Sequence, residues 1–303
     1  MDRILTRELD AIRRDNKSGA AQLALRAVRA VRAWARMAAP LEPQDLLWLA
    51  RGLLWTRSEM APFIRLANLA ASASDALIPG DRLVSGCNQF ERLILHSPNR
   101  IGRLFRQEAG KGRKLTVVTH SFSSTVVNAL VRARHRVSAV CCGESRPDYE
   151  GRETARRLAA RGMDVYVTTD LALAGWIEKV RDARTVVVSG ADCIDPRGFI
   201  NKGGTEMLFS RAREQRIPFW VLADTTKFIP LARNMLVHGG PQREKRIWKG
   251  WPRRVKYCDL MFSTTPLKAP VQVLSERGWM TPARVRREIA KIKLSPRLKE
   301  LLD

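Results

Sequence analysis

The spacing of hydrophobic positions changes about a third of the way along the chain. Before residue 110 the apolar side chains recur at helical spacings of three to five residues, as Leu23, Val28, Val31 and Trp34 do. That periodicity is typical of amphipathic helices, and Pro40 is expected to end the helix that contains these residues. The sequence therefore predicts an N-terminal all-α domain over residues 1–110.

After residue 110 short β-branched runs alternate with the helical stretches STVVNALVRARH, GRETARRLAARG and TEMLFSRAREQR. This alternation indicates parallel strands joined by right-handed crossovers, and the continuous apolar strands indicate a sheet covered on both faces. We predict an α/β fold over 111–303, a Rossmann-like, mostly parallel sheet flanked by helices. The predicted strands are LTVVT (115–119), VSAVCC (137–142), DVYVTT (164–169), RTVVVSG (184–190) and PFWVLA (218–223), with a weaker candidate from Val255 to Phe262.

Composition removes several classes of protein. No apolar run approaches the roughly 18 residues that a membrane span requires, so we expect no membrane partner. The charged start, MDRILTRELD, is unlike a signal peptide, and the 5 cysteines have neither metal-ligand spacing nor the density of a disulfide scaffold. We therefore expect a cytoplasmic protein that uses no metal and no cofactor.

The chain is strongly basic, with 54 Lys+Arg against 30 Asp+Glu and a net charge of +24. Such a charge favours polyanionic partners, although arginines spread over every surface would give the same total. Arginines at 26, 29, 32 and 36 line one side of a predicted helix, either as a solvated face or as a site for acidic lipid, RNA or a protein. The segment 242–257 interleaves Trp248, Trp251 and Tyr257 with basic residues. It is a candidate for RNA or ribosome contact, or else an ordinary basic loop.

Ligands of open parallel sheets bind beyond the carboxyl ends of the strands. The segment THSFSS (119–124) follows the first predicted strand and offers His120 and Ser121, together with hydroxyls and free N–H groups for an anion. Helix capping explains the same residues. The segment GESRPDYEG (143–151) offers Glu144 and Arg146, whose guanidinium suits a phosphate or a surface ion pair.

The segment GADCIDPRGFINKGGT (190–205) is the most specific of these strand ends. A carboxylate, Asp192, directly follows an apolar strand, and Asn201 and Lys202 precede two glycines that let the backbone curve closely around a ligand. A structural loop seldom requires this combination. We therefore predict that Asp192, Asn201 and Lys202 contact a ligand.

Together these segments resemble the superfamily of the regulatory subunits of translation initiation factor 2B, methylthioribose-1-phosphate isomerase and ribose-1,5-bisphosphate isomerase. The resemblance covers nearly the whole chain, and the NKGGT element departs from the expected NKIGT. The segments that carry it are DNKSGAAQLALRA, RSEMAPFIRLANLA, VVTHSFSS, ESRPDYEGRETARRL, GADCIDPRGFINKGGTEM, PFWVLADTTKF and FSTTPLKAPVQVLSERGWMTP.

The resemblance implies a cleft between a helical and a Rossmann-like domain that accepts a sugar phosphate or nucleotide phosphate, and a homo-oligomer, dimer or higher. It also implies that Asp192 matches the acid/base aspartate of the isomerases. Asn201 and Lys202 match the ligand-contacting pair, and Arg146 falls in the ESRP or ETRP segment.

The sequence departs from the isomerases at Ser121, where they carry a cysteine, and their Arg-Gly-Ala signature is not evident in the N-terminal region. A hydroxyl does not titrate near neutral pH, so Ser121 cannot replace a thiol in proton transfer without an activating base. We therefore predict a regulatory, non-catalytic protein that binds a sugar phosphate or nucleotide monophosphate. An isomerase that uses Asp192, with Cys142 or Cys193 as the thiol, stays open.

Overall fold

The computed structural model describes residues 3–15, 18–38, 40–180, 184–231, 247–248, 250, 252–256 and 261–302. It confirms the predicted fold class, a mostly parallel sheet flanked by helices and preceded by a helical region. Half of the weaker strand candidate from Val255 to Phe262 lies outside these residues, as does half of the basic segment 242–257. No helix in the described ranges is both long and apolar enough to cross a membrane.

The helical region packs its apolar faces into one core. Proline occupies the first turn of α3, α4 and α5, where its missing N–H has no partner to lose. The core also takes in Cys193 and Ile200 from the second half of the chain, so the two halves share buried surface. The helices are α1 Arg3–Arg14, α2 Ala20–Met37, α3 Pro43–Thr56, α4 Ala61–Ala73 and α5 Pro79–Ala109.

The arginine stripe of α2 serves the packing of this region. Arg29 and Arg32 both donate to the carboxylate of Glu91 on α5, and the hydrogen bond from Arg29 lowers the pKa of Glu91. Arg26 donates to Glu8 at 3.0 Å and to Asp15 at 3.0 Å. Much of the predicted solvated face is therefore a set of ion pairs that join α2 to α1 and α5.

The central sheet has seven strands in the order β10-β9-β7-β4-β1-β2-β3. All neighbours are parallel except β10, which runs antiparallel to β9. After β1 the sheet is extended on one side by β2 and β3, and after β4 it is extended on the other side by β7 and β9. The carboxyl ends of β1 and β4 therefore form the switch point where open sheets bind ligands. The strands are β1 Leu115–Thr119, β2 Val137–Gly143, β3 Val165–Thr168, β4 Arg184–Ser189, β5 Cys193–Ile194, β6 Gly198–Lys202, β7 Phe219–Leu222, β8 Phe262–Pro266, β9 Val271–Ser275 and β10 Gly278–Met280.

The crossover helices cover this sheet on both faces. The predicted helical stretches correspond to α6, α7 and α9, and a 3-10 turn at Thr225–Lys227 follows β7. A second, antiparallel sheet of β5, β6 and β8 stands beyond β4, a feature that the hydrophobic pattern did not predict. The helices are α6 Ser124–Arg132, α7 Glu150–Ala159, α8 Asp170–Lys179, α9 Thr205–Glu214, α10 Pro282–Ala290 and α11 Pro296–Leu302.

Helix α5 joins the two halves of the molecule. Its 31 residues carry Leu83, Cys87 and Ile94 into the helical core, whereas Ile101 and Phe105 pack against the central sheet. The strands begin at Leu115, close to the change of pattern at residue 110. The last turns of α5, although they precede residue 110, pack against the central sheet.

Candidate functional site

A cavity of about 110 Å³ lies at the carboxyl ends of β1 and β4, under the helical region. Side chains from both halves line it, and the Ala61 N–H at the start of α4 donates to the Asp192 carbonyl at 3.0 Å. The site predicted at the strand ends is thus closed from above by helices. Of the predicted residues, Ser121, Asp192, Asn201 and Lys202 line the cavity together.

Asn201, at the end of β6, has a side-chain amide with one defined orientation. Its nitrogen donates to Ser189 Oγ at 3.1 Å and to Thr205 Oγ1 at 3.0 Å. The Ser189 hydroxyl donates its proton to the Gly190 carbonyl, and the Thr205 hydroxyl donates its proton to the Lys202 carbonyl. Each hydroxyl oxygen must therefore accept from the Asn201 amide. The amide oxygen of Asn201 is therefore the atom left to contact a ligand.

Lys202 follows directly and is paired. Its Nζ donates to Glu150 Oε1 at 2.9 Å and lies 4.0 Å from Asp148 Oδ2. Only 4% of the residue is exposed. Lys202 therefore fixes the carboxylate of Glu150, at the start of α7, in the wall of the cavity.

Asp192 lies on the loop after β4 and keeps some exposure to the cavity. Burial raises the pKa of its carboxyl to about 6, while Lys227 opposes this effect and Glu59 adds to it. The carboxyl therefore changes charge close to neutral pH. A group of this kind can accept or donate a proton, or donate a hydrogen bond to a ligand.

Lys227 is the cation that our sequence reasoning missed. It ends the 3-10 turn after β7, is 5% exposed, and its Nζ makes no hydrogen bond with any described residue. It lines the cavity near Asp192. The strand-end rule could have found it, because DTTKF directly follows the predicted strand PFWVLA.

The helical region contributes a second buried cation, Arg57, which follows α3. Its Nη1 donates to Glu59 Oε1 at 3.2 Å and its Nη2 to the Ile12 carbonyl at 3.2 Å, while Nε has no partner among the described residues. Only 8% of Arg57 is exposed, and it lines the cavity. Nothing in the local pattern distinguishes it from a surface arginine.

Two helix N-termini meet at the mouth of the cavity. Gly19 is the N-cap of α2 and offers no capping side chain, whereas Ser123 caps α6 by accepting from the Val126 N–H. A β-carbon on Gly19 would lie 3.7 Å from the ring of Phe122 at the start of α6. The first N–H groups of both helices thus point toward one region, which favours negative charge there.

His120 lies behind the cavity wall. Its Nε2 contacts the Gly203 carbonyl at 2.8 Å, and its Nδ1 lies 3.4 Å from Ser145 Oγ and 3.5 Å from Asp170 Oδ1. Burial lowers the pKa of this histidine. The structure therefore does not bring His120 to the ligand, and the ring joins the ends of β1, β2 and β6.

Ser121 reaches the cavity through an unusual backbone conformation. Its φ of 66° lies in the left-handed region, which non-glycine residues seldom adopt. The conformation is held at both ends, because the Ser121 N–H donates to Ser145 Oγ at 2.8 Å and Thr154 Oγ1 donates to the Ser121 carbonyl at 2.8 Å. The two hydrogen bonds hold this backbone conformation and so set the direction in which the side chain of Ser121 leaves the main chain.

Arg146 and Glu144 are placed outside the cavity. The guanidinium of Arg146 is exposed and donates to the Tyr149 hydroxyl. The carboxylate of Glu144 accepts from Arg152 Nη2 at 3.0 Å. The geometry at both residues fits the alternative of surface interactions that the sequence left open.

The cysteines proposed as substitutes for the missing thiol are also remote. Cys142 is buried, its Sγ lies 3.8 Å from the Gly151 carbonyl, and burial raises its pKa to about 12. Cys193 packs into the helical core. No cysteine lines the cavity in the described part of the chain, and no group of three or more His, Cys, Asp or Glu there could hold a metal ion.

Comparisons with known proteins agree with this architecture. An eIF-2B subunit 2-like translation initiation factor of Pyrococcus horikoshii is 33% identical over 55% of this chain, and the match spans 58% of that relative. A ribose 1,5-bisphosphate isomerase of Archaeoglobus fulgidus is 27% identical over 95% of this chain and 92% of its own.

Solved structures share the fold. The crystal structure of translation initiation factor eIF-2B from Pyrococcus horikoshii OT3 has a TM-score of 0.76 and 27% identity, covering 95% of this chain and all of the other. A tetrameric eIF2B-beta2-delta2 complex from C. thermophilum contains a chain with a TM-score of 0.70 and 15% identity, covering 94% of this chain and 93% of that one. The initiation factor 2 subunit family model matches residues 56–282, and the chain belongs to that family.

Proposed function

We propose that the protein binds a phosphorylated sugar or nucleoside monophosphate in this cavity and acts through occupancy rather than turnover. The observation that carries the proposal is the ammonium group of Lys227, which is buried and makes no hydrogen bond with any described residue. The Asp192 carboxyl lies near this cation but accepts no hydrogen bond from it, and a buried ammonium group without hydrogen bonds is costly. An anionic ligand in the cavity would accept such hydrogen bonds.

The surroundings of Lys227 favour a phosphate at one end of the ligand. Arg57 lines the same cavity, and the α2 and α6 N-termini add the positive ends of two helix dipoles. Guanidinium, ammonium and backbone N–H groups are the usual partners of phosphate oxygens.

The other polar groups favour hydroxyls. Asp192 and Glu150 line the cavity with carboxylate oxygens, and the amide oxygen of Asn201 is a further acceptor. Hydroxyl groups of a sugar can donate to all three. A molecule that combines a phosphate with a polyol therefore suits both the cations and the acceptors of the site.

The chemistry around Ser121 supports binding without turnover. Its hydroxyl stands where the resemblance implies a thiol, and the nearest histidine, His120, has both ring nitrogens engaged away from it. A serine that lacks an activating base is a poor proton donor and acceptor near neutral pH. Its hydroxyl can still hydrogen-bond a ligand.

Thermal unfolding with a panel of phosphorylated sugars and nucleoside monophosphates tests binding. A ligand at about a hundred times its Kd stabilises the folded state by about 2.7 kcal/mol. We expect stabilisation by at least one sugar phosphate, and we expect Lys227→Met to abolish it. Lys299→Met is the control, because Lys299 is exposed on α11 and does not line the cavity, and this variant should keep the stabilisation. No stabilisation by any member at millimolar concentration, or an equal shift in Lys227→Met, contradicts the proposal.

A second candidate function, aldose–ketose isomerisation of a phosphorylated ribose or thioribose, is favoured by one observation, the Asp192 pKa of about 6. Asp192 would be one proton-transfer group. A direct assay for the ketose product separates the candidates. Turnover by the unmodified chain that disappears in Asp192→Asn, with ligand stabilisation retained, establishes the isomerase, whereas turnover that requires Ser121→Cys indicates a binding protein derived from an enzyme.

Self-association through the sheet domain is part of the proposal. The edge strand β3 and the neighbouring helices expose Tyr166 (51%), Val167 (50%), Leu171 (76%) and Met207 (50%). Exposed apolar side chains at a sheet edge commonly mark an interface, and a second copy of the chain is the expected partner. Analytical ultracentrifugation should give a dimer or larger species that Leu171→Glu weakens, and a strictly monomeric chain contradicts this part.

A further inference from the structure

Helix α5 presents a basic face to solvent along its second half. Positions 92, 96, 100, 103 and 106 fall on one side of the helix at 3.6 residues per turn, opposite the buried Ile101 and Phe105. The chain then continues into the exposed loop that leads to β1. Apart from Lys111, which pairs with Glu108, the exposed lysines and arginines of this stretch are Arg92, Arg100, Arg103, Arg106, Arg113 and Lys114.

A second row of arginines adjoins the first. Arg132 of α6 donates to Asn99 Oδ1 at 2.5 Å, which places its guanidinium against α5. The pairing of Leu115 with Val137 sets Lys114 and Arg136 side by side at the start of β1 and β2. These three exposed residues, Arg132, Arg134 and Arg136, complete what we call the α5 basic surface, whose members are Arg92, Arg100, Arg103, Arg106, Arg113, Lys114, Arg132, Arg134 and Arg136.

The α5 basic surface carries positive charge without counter-charges. None of its members forms an ion pair with a carboxylate of the described residues, and the two acidic residues of α5 from position 91 onward are engaged elsewhere. Glu91 turns toward α2, and Glu108 pairs with Lys111 at 2.7 Å.

Other helices of the same domain show that contrast. Arg157 pairs with Glu153 at 2.7 Å, Arg211 with Glu214 at 2.8 Å, and Arg277 with Glu288 at 2.5 Å. Exposed arginines without an ion pair among the described residues also occur elsewhere, Arg161 and Arg213 for example, but on the α5 basic surface nine unpaired cations adjoin one another. Like charges in such a cluster repel one another, and a polyanion removes that repulsion.

We infer that the α5 basic surface binds the phosphate backbone of nucleic acid. The arginines from 92 to 106 extend over about 20 Å of helix, long enough to contact several consecutive phosphates. One guanidinium group can donate two parallel hydrogen bonds to the oxygens of a phosphate. Phe105, which lies between Arg103 and Arg106, is fully buried and offers no ring for base stacking, so the expected binding is independent of base sequence and dominated by charge.

An anionic membrane is the competing polyanion, and the surface fits it less well. Peripheral membrane binding uses apolar side chains that insert beside the charges. Within the α5 face Leu95, 45% exposed, is the large apolar side chain offered to solvent. The surface is distinct in sequence from 242–257 and independent of the ligand cavity.

Fluorescence anisotropy of the full chain with a labelled single-stranded RNA, and with a labelled duplex DNA, tests the inference. The variant set Arg103→Gln, Arg106→Gln, Arg113→Gln and Arg134→Gln removes charge from the surface. The matched set Arg13→Gln, Arg156→Gln, Arg211→Gln and Arg277→Gln removes the same charge from residues that are paired. Both sets are read by affinity and by its dependence on salt.

The unmodified chain should bind, with affinity falling steeply between about 50 and about 200 mM salt. The surface set should weaken binding about tenfold or more and reduce the magnitude of the logarithmic salt slope for single strands by about 3. The matched set should keep the slope. Arg→Lys at the same four surface positions keeps the charge and should also keep it.

Three results would overturn the inference. These are a flat salt dependence, equal losses in the two variant sets, and binding to phosphatidylserine vesicles without binding to either nucleic acid. Circular dichroism checks the fold of each variant. If the surface set does not fold, Arg106→Gln and Arg134→Gln are compared singly with Arg211→Gln, and equal affinities then count against the inference.

Discussion

Replacing Asp192 by asparagine should make the stability of the protein less sensitive to pH. The pKa of Asp192 rises from 3.8 to about 6 on folding, chiefly through burial, so the folded state binds this proton more tightly than the unfolded chain. The free energy of unfolding therefore falls as pH increases through this window, and the loss is complete above the folded pKa. Asparagine has no proton to lose and avoids it.

The size of the effect follows from the shift. One pKa unit corresponds to about 1.4 kcal/mol of unfolding free energy. Because part of the contribution of Asp192 is already lost at pH 4, the free energy of unfolding should fall by about 2.5 kcal/mol between pH 4 and pH 7.5. The stability of Asp192→Asn relative to the unmodified chain should rise by that amount over the interval. Any constant cost of the substitution cancels, because only the difference between the two pH values is used.

Urea unfolding monitored by tryptophan fluorescence, in buffers without phosphate, gives the two free energies at each pH. Asp164→Asn is the matched control, since Asp164 is exposed and lies outside the cavity lining. The reasoning is refuted if the relative stability of Asp192→Asn changes by less than about 0.5 kcal/mol across the interval, or if the control changes as much.

Three further substitutions test the packing around the site. Gly151→Ala should destabilise the protein by about 1–3 kcal/mol in urea unfolding, because its β-carbon would meet the Gly143 carbonyl at 1.8 Å, whereas Gly175→Ala, with nothing within 4 Å, should be neutral or stabilising. Asp170→Ala should cost about 2–4 kcal/mol, since its carboxylate accepts the Ser145 and Arg146 N–H groups at 2.7 Å each; an equal cost for Asp170→Asn would contradict the role of charge. Glu91→Gln should lower the melting temperature at low salt more than at high salt, because it weakens ion pairs to Arg29 and Arg32; a loss independent of salt would contradict it.

The central sheet could be predicted from the sequence because each of its inner strands is a short apolar run between helical stretches. LTVVT and RTVVVSG form β1 and β4, whose ends meet at the switch point, and Ser121 and Asp192, which follow them, line one cavity. The small sheet was missed for a physical reason. β5 has two residues, and β6 includes Asn201 and Lys202, so neither shows the alternation or length on which the prediction depends.

Side-chain direction was harder to predict than strand position. His120 and Ser121 are adjacent, yet one lies behind the cavity wall and the other lines it. Arg146 looked suited to a phosphate, but its guanidinium is exposed. The buried cations Arg57 and Lys227 come from distant parts of the chain, and only the packing of the helical region on the sheet brings them to one space.

The hydrogen bond from the Ala61 amide to the Asp192 carbonyl connects the loop that lines the cavity to helix α4. Asp192 is attached through its main chain to the first turn of α4, so a ligand that displaces its loop must also pull on the helical region. The same link works in reverse, because a protein that presses on those helices would shift the loop. The hydrogen-exchange rate of the Ala61 amide should therefore change when a ligand binds in the cavity and when a protein binds to the outer helical surface. This N–H can report on coupling between the two.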